Sequence, residues 1–152
     1  MSTARARWAA AAVGLLLVAP LNACSDDDGM CANANDYVWY TNYFAGAYDG
    51  PPPADEIDGV IDTVVGLAGD LRDQVPSETR AQADTAYETW TTTRDVFADA
   101  DLSTDEGADA AIDELVDAVG DNQQSNEDYV DWLRDECGDD DSDWPSKPDS
   151  AD

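Results

Sequence analysis

The chain has 152 residues, 35 acidic and seven basic, for a net charge of −28, and no histidine. That length holds one domain with a modest core and not two. Nucleic acid and anionic lipid headgroups both repel so acidic a surface.

The first segment is a leader. Arg5 and Arg7 precede an apolar run from Trp8 to Ala19, too short for the roughly 20 residues of a membrane span. A basic start, a short apolar middle and a small residue before the cut mark a secretory signal. Ala23 suits the position before the cut; Leu21 is too large for an ordinary signal-peptidase site. The segment Leu21-Asn22-Ala23-Cys24 resembles the lipobox of bacterial lipoproteins, with Asn22 departing from the small or hydroxyl residue usual there. The resemblance implies removal of residues 1–23, a diacylglyceryl thioether on Cys24, and a protein held by lipid at the extracytoplasmic face of the cell membrane. Two or more acyl chains anchor stably where one does not. The mature chain would lose two bases and no acids, reaching −30.

Residues 24–30 read as a polar tether. The stretch "DYVWYTNYFAGAY" then reads as helix one, with Tyr37, Tyr40, Thr41, Phe44 and Tyr48 on one face. Trp39 and Tyr43 point away from that face. They suit either the flank of a neighbouring helix or a contact patch for a protein or glycan partner. "DGPPPADE" breaks the chain.

Helix two is the clearest. Ile57, Val60, Ile61, Val64, Leu67, Ala68, Leu71 and Val75 form one stripe opposite a row of aspartates. Helix three reaches about Ala100, with Ala83, Ala86, Tyr87, Trp90 and Phe97 facing inward and Arg94 among them. Ser103 and Glu106 read as a capping box. The fourth pattern runs through Ala108, Ile112, Leu115, Val119, Asn122, Asn126, Tyr129 and Leu133, which predicts one long helix bent near Gly120. Asn122, Gln123 and Asn126 interrupt its stripe and, with Arg94, make a candidate polar pocket. Residues 138–152 are acidic, proline-bearing and aperiodic, which predicts a disordered tail. Trp144 within it is a candidate anchor for a partner.

The fold expected is therefore all-α, an antiparallel up-down-up-down four-helix bundle over residues 31–137. With Cys24 lipidated, as the resemblance implies, Cys31 and Cys137 remain as a pair in an oxidising compartment. An even number of antiparallel helices puts both at one end, where a disulfide can form.

The missing residues narrow the chemistry. Without histidine there is no Ser-His-Asp relay, no usual haem ligand and no Glu-x-x-His di-iron motif. Asp99, Asp101, Ser103 and Asp105 start like a calcium loop, but Thr104 stands where the sixth-position glycine belongs and Ala110 where the twelfth-position glutamate belongs. No catalytic residue, cofactor or built metal site is expected. The function expected is a membrane-anchored binding or interaction module of the cell envelope with a protein partner and no nucleic acid; the alternative is a small-ligand- or cation-binding lipoprotein accessory to a transporter. Substituting Cys24→Ala is expected to move the protein from the membrane to the aqueous fraction or to stall its processing. Normal cleavage with undiminished membrane retention on fractionation would contradict the lipidation.

Overall fold

The computed structural model describes residues 27–138 and 144–151. The expected leader, residues 1–23, and Cys24 lie outside the described residues. Helices α1 (Asp27–Phe44), α2 (Ile57–Gln74), α3 (Arg80–Ala98), α4 (Asp105–Val119) and α5 (Gln123–Cys137) carry the fold, with single 3-10 turns at Gly120–Asn122 and Asp149–Ala151. Among the described residues there is no strand, and no helix is long and apolar enough to cross a membrane.

The helices form an antiparallel bundle whose direction can be read from paired side chains. Asn33 meets Gln74 and Tyr43 meets Glu56, so α1 and α2 run oppositely. Asp73 pairs with Arg80 across the α2–α3 turn, and Arg72 reaches both Asp84 and the Tyr87 ring. Tyr37 meets Trp90 and Phe44 meets Phe97, so α1 and α3 run together. The fourth limb, α4 and α5, returns to the start of α1, where Cys31 and Cys137 are joined by a disulfide with Cα atoms 5.1 Å apart.

Helix α2 buries its expected stripe: Val60, Ile61, Val64, Ala68 and Leu71 are buried, as is Val65 beside them. The core continues through Ala34, Tyr37, Val38, Ala83, Ala86, Trp90, Tyr129 and Leu133. Apolar burial at about 25 cal/mol per Å2 is the main force holding these helices together. Gly46 and Gly50, with φ of 75° and 110°, make the turn after α1 that a side chain at either position would strain.

Four expectations change. The 24–30 tether is shorter than expected, because helix already exists at Asp27, with Met30 buried and Cys31 cross-linked. The fourth limb is two α-helices rather than one. Val119, at φ −123° and ψ 1°, leaves the α region, and Gly120–Asn122 forms a 3-10 turn, a position where glycine weakens an α-helix by about 1 kcal/mol. Ser103 and Glu106 do not form the capping box. Thr104 caps α4 instead, its hydroxyl accepting from the Gly107 amide at 3.1 Å, while Ser103 turns to the Asp101 carboxylate.

The fourth change is the tail. Residues 144–151 lie against α1 rather than apart from the bundle. The Asn35 carbonyl oxygen accepts from the Ser146 amide at 2.8 Å, and the Asn35 amide donates to the Ser146 carbonyl at 2.9 Å. Pro148 is buried, and Trp144 packs on the core. An asparagine side chain that satisfies both backbone groups of one residue offsets the chain's lack of periodicity. The remainder of the expected tail, 139–143 and 152, lies outside the described residues.

Reducing the disulfide removes a cross-link spanning 106 residues. The chain-entropy account gives a loss on the order of 4–5 kcal/mol, with native strain subtracting from it. The Cys31→Ser/Cys137→Ser double variant is therefore expected to unfold in urea several kcal/mol sooner. A loss below about 1 kcal/mol would mean that the unfolded chain is hardly constrained by the bond.

Candidate functional site

Two recesses flank α1. The first holds Trp39 and Tyr43, which the structure brings together. Trp39 stacks on Tyr43 at 5.3 Å between centroids and on Tyr48 at 5.4 Å, and meets the edge of Tyr40 at 5.0 Å. The Tyr43 hydroxyl donates to Glu56 at 3.3 Å. Desolvation at this slot, followed by the Glu56 carboxylate, raises the Tyr43 pKa, while Lys147 of the tail opposes the rise. Both Trp39 and Tyr43 are half-buried, and Tyr48 keeps 44% of its surface exposed. Lys147 and Ala151 also line the slot, so the C-terminal segment is one of its walls.

The second recess is a cleft of about 770 Å3 between α1, α3 and the α4–α5 limb. Its walls are mostly apolar: Phe44 and Ala45 from the end of α1, Trp90 from α3, Leu115, Val116 and Val119 from α4, and Val130 from α5. The cleft exists because α1 packs along α5 but not comparably along α4. The disulfide sets Cys31 level with Cys137, and α1 ends at Phe44. The same number of residues counted back from Cys137 reaches only Gln124, short of α4. The α4 side facing this gap has no helix over it, so Val116 is 62% exposed; Ile112, outside the cleft lining, is 52% exposed. Ile112, expected in the core, is therefore at the surface, and Ala111 is the one buried residue of α4.

Asn122 and Asn126 do come together, on Thr89. Each donates its amide to the Thr89 hydroxyl at 3.2 Å. That hydroxyl donates its own proton to the Thr85 carbonyl at 2.8 Å. With its proton committed, Thr89 only accepts, and both asparagines must turn nitrogen toward it. The Asn126 oxygen is left buried without a partner. The Tyr129 hydroxyl and the Thr41 hydroxyl are also buried and unpartnered. Buried polar atoms without partners are uncommon in folded proteins.

Gln123 lines the cleft but sends its amide to Glu127 at 2.9 Å rather than into the asparagine cluster. Arg94 is not part of the pocket. Its side chain is 45% exposed and lies 3.7 Å from Asp95. The inner position belongs to its neighbour Thr93, which is buried and donates to the Thr89 carbonyl at 2.9 Å. Helix α3 is thus rotated so that Thr89 and Thr93, four residues apart, face inward; that spacing beside Ala86 and Trp90 was the available sequence signal for them.

Tyr37 is a further polar group at the cleft. Its hydroxyl accepts from the Trp90 indole at 3.2 Å, and its ring meets Tyr129 edge-on at 6.1 Å. Burial pushes the Tyr37 pKa up to about 12 against the lesser effects of Trp90 and Thr41. Burial raises Tyr129 as well, with Tyr37 adding to it. Both phenols are neutral donors at ordinary pH, not bases. Among the described residues, no group of three or more His, Cys, Asp or Glu side chains is placed to hold a metal ion. No protein-family model, curated protein or solved structure matches the chain.

The two phenols set an alkaline limit. The unfolded phenol ionises near pH 10 while the folded one stays neutral, so rising pH favours the unfolded chain. Stability is expected to hold up to about pH 10 and then to fall, with Tyr37 alone accounting for about 2–3 kcal/mol by pH 12. Tyr129 acts in the same direction. Denaturant unfolding between pH 9 and 12 checks this: Tyr37→Phe should flatten the decline, and an equally steep decline in that variant would contradict the assignment.

Proposed function

We propose that the protein is a lipid-anchored extracytoplasmic binding protein that holds a small, largely apolar molecule in the cleft between α1, α3 and the α4–α5 limb. The observation that carries this reading is the cleft itself: about 770 Å3, walled by apolar side chains of three helical limbs, with the unpartnered Asn126 oxygen at its side. Ligand sites of drug-sized molecules have this volume and this mixture of apolar wall and few polar groups. The location rests on the Leu21-Asn22-Ala23-Cys24 resemblance.

A second reading is docking of an envelope protein on the aromatic face of α1. Tyr48, stacked on Trp39 and partly exposed, favours it. Stacked aromatics at a surface are a common contact for proteins and glycans.

N-phenyl-1-naphthylamine, neutral and fluorescent in apolar surroundings, separates the two readings. It is expected to bind once per chain. Val116→Glu puts a charge on the cleft wall at an exposed position and should weaken binding roughly tenfold. Ile112→Glu, outside the lining, should leave it unchanged. A dark probe, or equal binding by both variants, overturns the cleft reading.

A further inference from the structure

We infer that the cleft selects a lipophilic cation, a molecule with an apolar body and a protonated amine. The inference rests on the reading of the cleft as a small-ligand site and names the chemistry of its ligand. Three observations support it, beginning with hydrogen-bond direction. Several donors at the cleft are engaged: the Asn126 amide on Thr89, the Gln123 amide on Glu127, the Trp90 indole on Tyr37 and the Thr93 hydroxyl on the Thr89 carbonyl, while the Thr41 hydroxyl has no partner. The Asn126 oxygen is an acceptor with nothing to accept from, and its orientation is fixed by the committed Thr89 proton. The oxygen is buried, so a ligand that satisfies it must displace its cover and bring a donor.

The charge of the lining points the same way. Glu127 and Asp131 stand at the rim, and no lysine or arginine is among the lining residues. Asp131 is held at 2.8 Å by Arg134 from outside the cleft; Glu127 is met only by the neutral Gln123 amide. An ammonium is stabilised by such a rim, and a carboxylate or phosphate is repelled by it. Asn126 and Glu127 adjoin in sequence on α5, so one head group placed at the mouth lies near both.

The walls supply the third constraint. Phe44, Trp90, Leu115, Val116, Val119 and Val130 offer nothing to a hydrated inorganic ion. A bare cation would have to shed water against them without replacement ligands. The apolar wall and the acceptor-rich side therefore select together for amphiphilic amines.

Displacement of N-phenyl-1-naphthylamine by three probes of one chain length tests this: octylammonium, octanol and octanoate. Octylammonium is expected to displace the dye at roughly tenfold lower concentration than octanol, with octanoate the weakest. The protein's general negative charge would also attract the amine, so the decisive variant is Glu127→Gln/Asp131→Asn, which removes only two of 35 acids. That variant should lose most of the preference while keeping its affinity for octanol, and Asn126→Leu should reduce the preference as well. Equal displacement by octanol and octylammonium overturns the cation assignment and leaves the binding cleft standing. An undiminished preference in the double variant also overturns it. Failure of the dye and all three probes to bind overturns both.

Discussion

One covalent bond sets the register on which the rest of the molecule depends. Cys31 and Cys137 tie the beginning of α1 to the end of α5. From that fixed point the two helices run antiparallel, so Tyr37 arrives beside Tyr129 and the end of α1 arrives beside the first turn of α5. Helix α1 then stops, and the limb it was covering continues as α4. The cleft is the space left by this mismatch in length. A longer α1 would fill it; the turn built on Gly46 and Gly50 prevents that extension. The bond also counters charge. Arg72, Arg80, Arg94 and Arg134 each lie near acids, yet those pairs are solvent-exposed and contribute little. Self-repulsion of so acidic a chain favours expansion, and a cross-link near its ends opposes expansion directly.

The polar cluster at Thr89 sits where an ordinary bundle would carry leucine. Three side chains on three elements, Thr89 on α3, Asn122 in the 3-10 turn and Asn126 on α5, are bound together with one hydroxyl accepting twice and donating once. Such a network ties α3 to the break between α4 and α5, because both amides meet the one Thr89 hydroxyl. It also leaves one oxygen unsatisfied, a destabilising feature by about 1–3 kcal/mol. A fold that retains an unsatisfied acceptor at the side of a cleft gives up stability at the place where a ligand would recover it.

Much of the fold was legible because its signals are local or arithmetical. The stripe of α2 needs only the 3.6-residue period. The disulfide follows from the parity of the cysteines and of the helices once the lipobox resemblance removes Cys24 from the count. The features that were not legible depend on contacts between distant segments. Arg94 and Thr93 differ by one position on α3, and only the packing of Thr89 against α5 decides which faces inward. The break at Gly120 keeps the hydrophobic spacing almost intact, so periodicity alone reads through it. Docking of the tail depends on Asn35 meeting Ser146, an exchange of three hydrogen bonds across 111 residues that no composition rule contains. At the candidate site, Asn122 and Asn126 were visible as polar interruptions of an apolar stripe. Their partner Thr89 was not, since a threonine on a helix commonly bonds its own backbone, as Thr63, Thr85 and Thr91 do here.

The docked tail connects the two recesses to one end of the chain. Asn35 lies one helical turn beyond Cys31, so Ser146 is held close to the cross-linked end of the bundle. From there the segment reaches the aromatic slot with Lys147 and Ala151. The slot's acids, Asp49 and Glu56, and its rings, Trp39, Tyr43 and Tyr48, make surroundings that favour an ammonium group by charge and by the aromatic faces. The chain's single lysine is the cation placed there. The two sides of α1 share one setting: acidic side chains stand at the edge of a recess with aromatic or aliphatic walls. On the slot side a positive charge comes from Lys147 of the C-terminal segment; on the cleft side none of the described lining residues is a lysine or arginine.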